Sequence, residues 1–224
     1  MKLLIATGNP HKVQEIRAVL AHGADRDGLP IEWLDLSHLE RHVTEPVEDA
    51  ATFEGNAVKK ARHYAQATGM LCLADDSGLA VDALGGAPGV RSARYAGVDG
   101  PRSVVDPANN RLLLERLASV PIERRTARFV CAMALAGPGL AQPIIVCGTV
   151  EGRILLPQEA ADPSQPHRGR GGNGFGYDPL FLIPELGKTT AELEPQHKNA
   201  LSHRGKATRL MRQRLRAFLA PGHE

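Results

Sequence analysis

Apolar residues recur along this chain in two patterns, short runs typical of strands and a three-to-four-residue period typical of helices. The short runs predict strands at KLLIAT, IEWLDLS, MLCLAD, GLAVDAL, RTARFVCAMALA, PIIVCGTVEGRILL and YDPLFLI. The helical period predicts helices at KVQEIRAVLAH, TFEGNAVKKARHYAQATG, DPANNRLLLERLASV and the segment from Pro195 to Ala220. Because helices and strands alternate and one strand pair is joined by a Gly-Pro turn, we expect an α/β fold with a mixed sheet.

Polar residues, glycines and prolines mark where several of these elements begin and end. Thr52 is the predicted N-cap of the second helix, and Gly69 is its predicted stop. Asp106 is the predicted N-cap of the third helix, with Pro107 at its first helical position. The segment PQEAADPSQPHRGRGGNG is rich in proline, glycine and polar residues, which predicts a mobile loop.

The composition is that of an ordinary globular protein, with 42% hydrophobic and 23% charged residues. A net charge of only +2 gives no reason to expect nucleic acid or membrane as a partner. The three cysteines are widely spaced, which argues against a disulfide framework or a zinc site and favours reduced thiols in the cytoplasm. The uncharged stretch from Phe129 to Val150 is broken by GPG and a later proline, which favours two strands over a membrane span. We expect a cytoplasmic protein with a single domain over residues 1–224.

The loop TGNPHK follows the first predicted strand and leads into the first predicted helix. Backbone donors at a helix N-terminus, joined by Thr7, Asn9 and Lys12, would suit phosphate oxygens. The second glycine and the Lys-Ser/Thr pair of a P-loop are missing, so the loop is not of that type. An ordinary Asn-Pro turn is the structural alternative.

Asp75 and Asp76 lie side by side where an apolar run ends. Adjacent side chains of an extended chain point to opposite faces, so we expect a turn at Ser77-Gly78 to bring both carboxylates to one ligand. Carboxylate oxygens that face a phosphate predict a Mg²⁺ site. Further candidate ligands stand in the acidic loop VTEPVEDAA at Glu45, Glu48 and Asp49. The alternatives are an Asx-type turn between two strands and a solvated acidic loop.

Two later segments carry residues suited to a nucleotide. The glycines of GGNGFGYDP let the backbone approach a ligand, and its two aromatic residues offer faces for a base, unless they lie in the core. Lys198, His203 and Arg204 open a basic C-terminal segment whose other arginines are expected to be solvated. Helical spacing does not place these three residues on one face, so Lys198 is expected to precede the first regular turn. Together the four segments describe a site for a nucleoside triphosphate and a metal.

Five segments, in this order, resemble the inosine/xanthosine triphosphate pyrophosphatase family: ATGNPHK, TFEGNAVKKAR, LADDSGLAVDALGGAPGVRSARYAG, FGYDPLF and HKNALSHRGKA. The resemblance spans nearly the whole chain. It implies an elongated mixed β-sheet flanked by helices, two lobes around a central nucleotide cleft, and a homodimer. It also implies Mg²⁺-dependent hydrolysis of ITP, dITP or XTP to the monophosphate and pyrophosphate, which removes deaminated purine nucleotides from the pool.

The resemblance implies site residues by position. Asp76 matches the catalytic acidic residue, and Asp76 with Glu48 is implied to hold the metal. Substrate contacts are implied at Thr7, Gly8, Asn9, Pro10, His11, Lys12, Ser77, Phe175, Gly176, Tyr177, Asp178, Lys198, His203 and Arg204. The chain departs from the family pattern at Gly55, where an acidic residue is frequent, and in the segment 158–172, which is longer than usual.

As a mechanism, we expect Asp76 to help deprotonate a water that attacks the α-phosphorus, with Asp75 supporting the geometry. Donors from His203, Arg204 or the loop backbone would pair with a 6-keto oxygen and be left unpaired against adenine. One alternative is a pyrophosphatase for other modified nucleotides. Another is a non-catalytic nucleotide- or nucleic-acid-binding module, against which the acidic cluster argues because carboxylates repel a polyanion.

Overall fold

The computed structural model describes residues 1–21 and 31–220. Within these ranges the strands are β1 (Lys2–Ile5), β2 (Glu32–Asp35), β3 (Leu71–Val81), β4 (Thr126–Ala136), β5 (Ile144–Ile154), β6 (Phe181–Ile183) and β7 (Lys188–Thr189). The α-helices are α1 (Pro10–Ala21), α2 (Phe53–Thr68), α3 (Arg102–Arg116), α4 (Pro195–Leu201) and α5 (His203–Leu219).

The strands form one seven-stranded sheet in the order β2-β1-β3-β4-β5-β6-β7. Strand β1 pairs in parallel with β2 and β3, whereas β6 is antiparallel to β5 and β7. A parallel neighbour requires a crossover, and α1 and α2 supply the connections that lead from β1 to β2 and from β2 to β3. The predicted α/β fold with a mixed sheet flanked by helices is confirmed.

The chain divides into two compact units, of which the first contains the described parts of Met1–Asp76, Cys131–Gly148 and Ser202–Glu224. Strand β1 shows how its core is built. Leu3 and Ile5 point to a cluster formed with α1 and α5, while Leu4 points to a second cluster formed with α2. The two-residue period of a strand therefore places helices on both faces of β1, which explains why KLLI is apolar at every position after its lysine.

The second unit comprises Ser77–Val130 and Thr149–Leu201. Its single core cluster joins the second half of β3 to α3 and to the aromatic rings of β4 and β6. The rings of Phe129 and Phe181 lie 4.5 Å apart between centroids. The single domain over residues 1–224 and the central cleft stay predictions.

Strand β3 differs from the prediction. MLCLAD and GLAVDAL were expected to be two strands with a turn at Ser77-Gly78, but one strand runs from Leu71 to Val81. The predicted turn is therefore wrong. Gly78 instead allows Ser92 to lie close to β3, because a Cβ at Gly78 would overlap the hydroxyl of Ser92. This hydroxyl accepts the backbone N–H of Leu79 at 2.9 Å.

Helix ends were predicted with mixed success. Thr52 caps α2 by accepting the backbone N–H of Gly55 at 3.1 Å, and Gly69 ends it in the left-handed conformation, as predicted. Helix α3 begins at Arg102, because the carbonyl of Pro101 already accepts helical hydrogen bonds, so Asp106 is not its N-cap and Pro107 lies inside it.

The predicted C-terminal helix is two helices. The chain leaves α4 at Leu201, and Ser202 starts α5 as its N-cap by accepting the backbone N–H of Gly205 at 3.0 Å. Strand β7 was not anticipated, since two residues are too few for a periodic signal. The predicted mobile loop contains short 3₁₀ turns at Pro157–Glu159 and Pro166–Arg168.

The uncharged stretch around the Gly-Pro turn forms β4 and β5, as predicted. No helix within residues 1–21 and 31–220 has the length and apolarity needed to cross a bilayer. The three cysteines all lie in the described ranges and are free thiols, with Cys72 and Cys131 buried.

Glycine 148 allows β5 to lie against the first turn of α5. A Cβ there would overlap the carbonyl oxygen of His203 and the amide nitrogen of Ala207. Because both are backbone atoms that cannot rotate away, Gly148→Ala is expected to lower the free energy of unfolding by about 1–3 kcal/mol, measured by urea unfolding. Gly172→Ala is the control, since a Cβ at Gly172 meets no atom within 4 Å. Equal stability of the two variants would contradict this packing.

Candidate active site

The predicted phosphate loop connects β1 to α1. Asn9 caps α1, because its carbonyl oxygen accepts the N–H of Val13 at 3.2 Å and its Oδ1 accepts the N–H of His11 at 3.0 Å. Pro10 then occupies the first helical position, where its missing N–H is tolerated. The buried Nδ2 of Asn9 has no hydrogen-bond partner within the described residues. A buried donor of this kind is suited to an acceptor from a ligand.

Asp75 is an ionised carboxylate in the interior of the first unit, only 1% exposed. Its Oδ2 lies 3.0 Å from Nζ of Lys12 and 3.4 Å from Nε of Arg204. Burial raises the pKa of Asp75, but Lys12, Arg204 and Lys60 outweigh burial and hold this pKa well below its ordinary value. Arg204 is itself buried and also pairs with Glu15. Asp75 is therefore a buried anion paired with two cations, and its supporting role in catalysis stays a prediction.

Asp76 is also buried but lies in a different environment. Its Oδ2 accepts a hydrogen bond from Nδ2 of Asn56 at 2.9 Å. Burial raises the pKa of Asp76, the charge of Glu48 raises it further, and Lys60 and Asn56 offset only part of the rise. Strand alternation points Asp75 and Asp76 to opposite faces, and Lys12 and Arg204 form ion pairs with Asp75.

Two site residues of α2 were missed by the sequence analysis. Lys60 is 3% exposed and pairs with Glu48. Burial lowers the pKa of Lys60, but Asp75, Glu48 and Asp76 outweigh burial and raise this pKa, so the ammonium stays charged. Asn56 is fully buried, and its Oδ1 accepts the backbone N–H of Ala50 at 2.9 Å. Their signal was in the sequence, because both residues interrupt the buried alanine stripe of α2 at positions four apart.

The acidic loop before α2 separates its candidate ligands. Glu48 faces inward to Lys60, whereas Asp49 faces outward and pairs with the exposed Lys59 at 2.6 Å. Glu45 lies near the phosphate loop, since a Cβ at Gly8 would be 3.8 Å from its Oε2. Of the three acidic residues, Glu48 is therefore the one whose charge bears on Asp76.

In the second unit, Asp178 organises the FGYD loop. Its Oδ2 accepts the backbone N–H of Phe175 at 2.8 Å and lies 2.6 Å from Nζ of Lys198. Its Oδ1 accepts the hydroxyl of Thr190 at 2.8 Å. Gly174 adopts a φ of 82°, and a Cβ there would overlap this carboxylate. Asp178 thus shapes the loop through several bonds, and its predicted contact with substrate stays a prediction.

The two aromatic residues of this loop differ in placement. The ring of Tyr177 lies in the core, its hydroxyl donates to the carbonyl of Ser92 at 2.9 Å, and burial raises its pKa. The ring therefore offers no open face to a base, which leaves Phe175 for that role. Phe175 is half-buried, with Cζ of Arg102 at 5.3 Å and Nζ of Lys198 at 5.5 Å from its ring centroid.

The remaining predicted residues lie in three elements. Lys198 lies within α4, as the fourth of its seven residues, and belongs to the second unit, while His203 and Arg204 open α5 in the first unit. The expectation that Lys198 precedes the first regular turn is wrong, because α4 already begins at Pro195. His203 is buried, and Ser77 is a half-buried residue of β3.

Asp75→Asn and Asp76→Asn are adjacent substitutions of similar shape with opposite expected effects on stability. The lowered pKa of Asp75 means that folding favours its ionised form. This stabilisation is present above the unfolded pKa and is lost as the pH falls through the folded pKa. Asp75→Asn is therefore expected to lower the free energy of unfolding at neutral pH by about 3–5 kcal/mol, because Lys12 loses its anion in a largely buried position and Arg204 loses one of its carboxylate partners.

For Asp76 the sign is reversed. Its raised pKa means that folding favours the protonated form, a stabilisation present at low pH and lost as the pH rises through the folded pKa. Asp76→Asn is expected to be at least as stable as the wild type at neutral pH. Urea unfolding between about pH 4 and pH 8 measures both variants. Similar losses of stability in the two variants at neutral pH would contradict the opposite environments.

Comparison with known proteins assigns the family. A profile of the Ham1 family matches residues 3–214. The chain is 48% identical over 219 residues to a dITP/XTP pyrophosphatase of Exiguobacterium sibiricum, covering 98% of this chain and 99% of the relative. It is 47% identical to a dITP/XTP pyrophosphatase of Geobacter sulfurreducens, covering 96% of each.

Solved structures agree. A HAM1 protein from Coxiella burnetii matches with a TM-score of 0.79 at 37% identity, over 97% of this chain and 99% of that chain. A nucleoside-triphosphatase / dITP/XTP pyrophosphatase from Mycobacterium abscessus matches with a TM-score of 0.69 at 42% identity, over 94% and 98% of the two chains. These matches confirm the resemblance that the sequence motifs indicated. The chain belongs to the Ham1 family.

Proposed function

We propose that this chain hydrolyses the deaminated purine nucleoside triphosphates ITP, dITP and XTP to the monophosphate and pyrophosphate. The observation that carries the proposal is the pair of adjacent buried carboxylates with opposite pKa shifts, Asp75 lowered and Asp76 raised. Environments that push two carboxylates apart in this way are characteristic of acid–base sites. The substrate class is supported by relatives named dITP/XTP pyrophosphatase.

The loop from Thr7 to Lys12 is the proposed phosphate site. Its support is the N-terminus of α1, where backbone N–H groups and the positive end of the helix dipole favour an anion. The unpartnered Nδ2 of Asn9 supplies a further donor, and Lys12 supplies a charge that Asp75 holds at this end of the helix. Gly8, Pro10 and His11 are exposed along the same loop.

We propose Mg²⁺ as the cofactor, held by Asp76 and Glu48. Residues 1–21 and 31–220 contain no group of three or more His, Cys, Asp or Glu residues suited to a metal ion. Mg²⁺ is commonly held by one or two carboxylates and completed by water and substrate phosphates, so two carboxylates fit such a site. The charge of Glu48 raises the pKa of Asp76, which supports a shared cation near both. When bound, Mg²⁺ would withdraw charge from phosphate oxygens as a Lewis acid.

Asp76 is the proposed general base. Its carboxylate takes a proton from a water, whose oxygen forms a bond to the α-phosphorus while the bond from that phosphorus to the bridging oxygen breaks. Pyrophosphate leaves with the bonding electron pair. Asn56 orients the Asp76 carboxylate through its hydrogen bond to Oδ2. The ammonium groups of Lys60, which is buried, and of Lys12 offset the negative charge of the carboxylates in the first unit.

Base recognition is proposed for the residues that the resemblance implies. Phe175 is the proposed stacking partner, and His203 and Arg204 are proposed donors to the 6-keto oxygen. Ser77, Gly176, Tyr177, Asp178 and Lys198 complete the proposed contacts; Tyr177 would act through its backbone, because its ring is in the core. We also propose that the protein works in the cytoplasm as a homodimer, as the resemblance implies; sedimentation velocity tests the dimer.

A nucleotide panel tests the proposed function. Pyrophosphate release is expected from ITP, dITP and XTP and is expected to stop when EDTA removes Mg²⁺. For ATP, kcat/KM is expected to be lower by ~10⁴-fold, because the 6-amino group leaves buried donors unpaired. A higher kcat/KM for ATP than for ITP would contradict the proposal, and so would release of phosphate in place of pyrophosphate.

Asp76→Asn tests the assigned base. Its kcat for ITP is expected to fall by about 10²–10⁴-fold, because the amide cannot accept the proton. Asp49→Asn is the matched control from the acidic loop, since Asp49 is exposed and pairs with Lys59 at the surface. Steady-state kinetics with ITP measures both variants, and near-normal turnover of Asp76→Asn would remove Asp76 from this role.

A further inference from the structure

Helix α3 presents three buried or partly buried polar side chains to the loops of the second unit. Asn109 and Asn110 are only 3% and 4% exposed, and the side chain of Asp106 is 15% exposed. Buried amides and carboxylates are tolerated only where each finds hydrogen-bond partners. Here the partners include backbone groups of three segments, at residues 92–96, at His167 and at Gly176, so these residues hold loop conformation.

Asp106 and Asn110 bind the two backbone groups of one residue. The N–H of Gly176 donates to Oδ2 of Asp106 at 2.9 Å, and the carbonyl of Gly176 accepts from Nδ2 of Asn110 at 3.2 Å. The two side chains stand four residues apart, one turn along the same helix. Gly176 has a φ of 62°, in the left-handed region, and lies in a turn outside the helices and strands. The two side chains of α3 therefore supply hydrogen bonds that a helix or a sheet would otherwise provide.

Nδ2 of Asn110 also donates to the carbonyl of His167 at 3.2 Å. The opposite orientation of this amide would place its oxygen against two carbonyl oxygens, so the side chain is fixed in one orientation. Through the side chain of Asn110, α3 holds the longer segment 158–172 and the FGYD loop together. This segment is the one whose length departs from the family pattern.

The hydrogen bonds from Asp106 and Asn110 to Gly176 form a clamp on the FGYD loop, and its contacts extend to the ring of Phe175. Arg102 stands one turn before Asp106, pairs with its Oδ1 at 3.2 Å, and places its Cζ 5.3 Å from the ring centroid. The N–H of Phe175 is bound to Asp178 on its other side in the chain. The backbone on both sides of the Phe175 ring is therefore held by carboxylates, and the peptide that joins Phe175 to Gly176 has little freedom to rotate.

We propose that Asp106 and Asn110 are positioning residues that fix the backbone N–H and carbonyl of Gly176, and with them the neighbouring Phe175, for purine base binding. The inference rests on the proposed function, because it takes Phe175 as the surface on which the base stacks. A loop already held in its binding conformation loses less entropy when the base binds. Removal of the clamp is expected to weaken contacts to the base and to leave contacts to the phosphates unchanged.

The test separates base binding from phosphate binding by calorimetry on the full chain. The probes are inosine monophosphate, which carries the base, and inorganic tripolyphosphate, which does not. Asp106→Ala and Asn110→Ala are each expected to raise the Kd of inosine monophosphate about 10-fold or more, with the Kd of tripolyphosphate changed less than about twofold. Asp106→Asn keeps an acceptor for the N–H of Gly176 and is expected to restore most of the affinity.

Asn109→Ala is the matched control. Asn109 has the same residue type, helix and burial, but it bonds to the carbonyls of Ser92 and Ala93 and to the N–H of Ala96. It is expected to lower the thermal midpoint as Asn110→Ala does, without the selective loss for inosine monophosphate. Should Asn110→Ala fail to fold, the comparison of Asp106→Ala with Asp106→Asn decides, because Asp106 lies at the edge of the core.

Unchanged affinity for inosine monophosphate, a parallel loss for both probes, or the same loss in Asn109→Ala would overturn the positioning role. Failure of the proposed function looks different. In that case the wild type binds inosine monophosphate but releases no pyrophosphate from ITP, and the binding comparison still reports on the clamp. A wild type that does not bind inosine monophosphate overturns the inference as well.

Discussion

The first unit depends on one buried charge. Asp75 lies in the interior on β3, and an ionised carboxylate there is tolerable only with cations in contact. Lys12 comes from the start of α1 and Arg204 from the start of α5, so one carboxylate fixes the N-terminal ends of two helices. The requirement to neutralise Asp75 thus places Lys12 at the mouth of the phosphate loop. Through Arg204 and Glu15, the same requirement also ties α1 to α5.

The next residue along the strand has the reverse character. Because successive side chains of a strand point to opposite faces, Asp76 turns away from the ion pairs of Asp75 and towards α2. It accepts a hydrogen bond from the neutral amide of Asn56, and the nearby ammonium of Lys60 pairs with Glu48. A strand can therefore hold a fixed anion and a titratable carboxylate at consecutive positions. Like charges are tolerated side by side because Lys12 and Lys60 lower the pKa of both carboxylates, and Arg204 adds a further cation for Asp75.

The second unit uses carboxylates for another purpose. Asp178 and Asp106 each accept a backbone N–H from the FGYD loop, at Phe175 and Gly176. Irregular backbone inside a protein must find partners outside itself, since no helix or sheet ladder satisfies it. Side chains from α3 and a residue within the loop meet that need. Asp178 also pairs with Lys198, and Asp106 with Arg102, so in the second unit the same carboxylates bind cations and hold the loop that carries the aromatic ring proposed for the base.

The sequence by itself determined the α/β class, the mixed sheet and the family, because apolar periodicity and motifs such as DDSGLAVD are local signals that survive in any context. It also indicated Asp75, Asp76 and the loop at Asn9, since an acidic pair after an apolar run and a polar loop after the first strand can be recognised in the sequence. Only the tertiary structure decided that β3 runs unbroken through the acidic pair, because Gly78 is explained by the approach of Ser92 from a distant loop. The roles of Lys60 and Asp106 were likewise hidden. The sequence shows Lys60 as an ordinary helix lysine, and only the structure shows that it is buried beside Glu48. The pair Asp106-Pro107 indicates a helix start in the sequence, whereas in the structure the carboxylate of Asp106 accepts the N–H of Gly176, far along the chain.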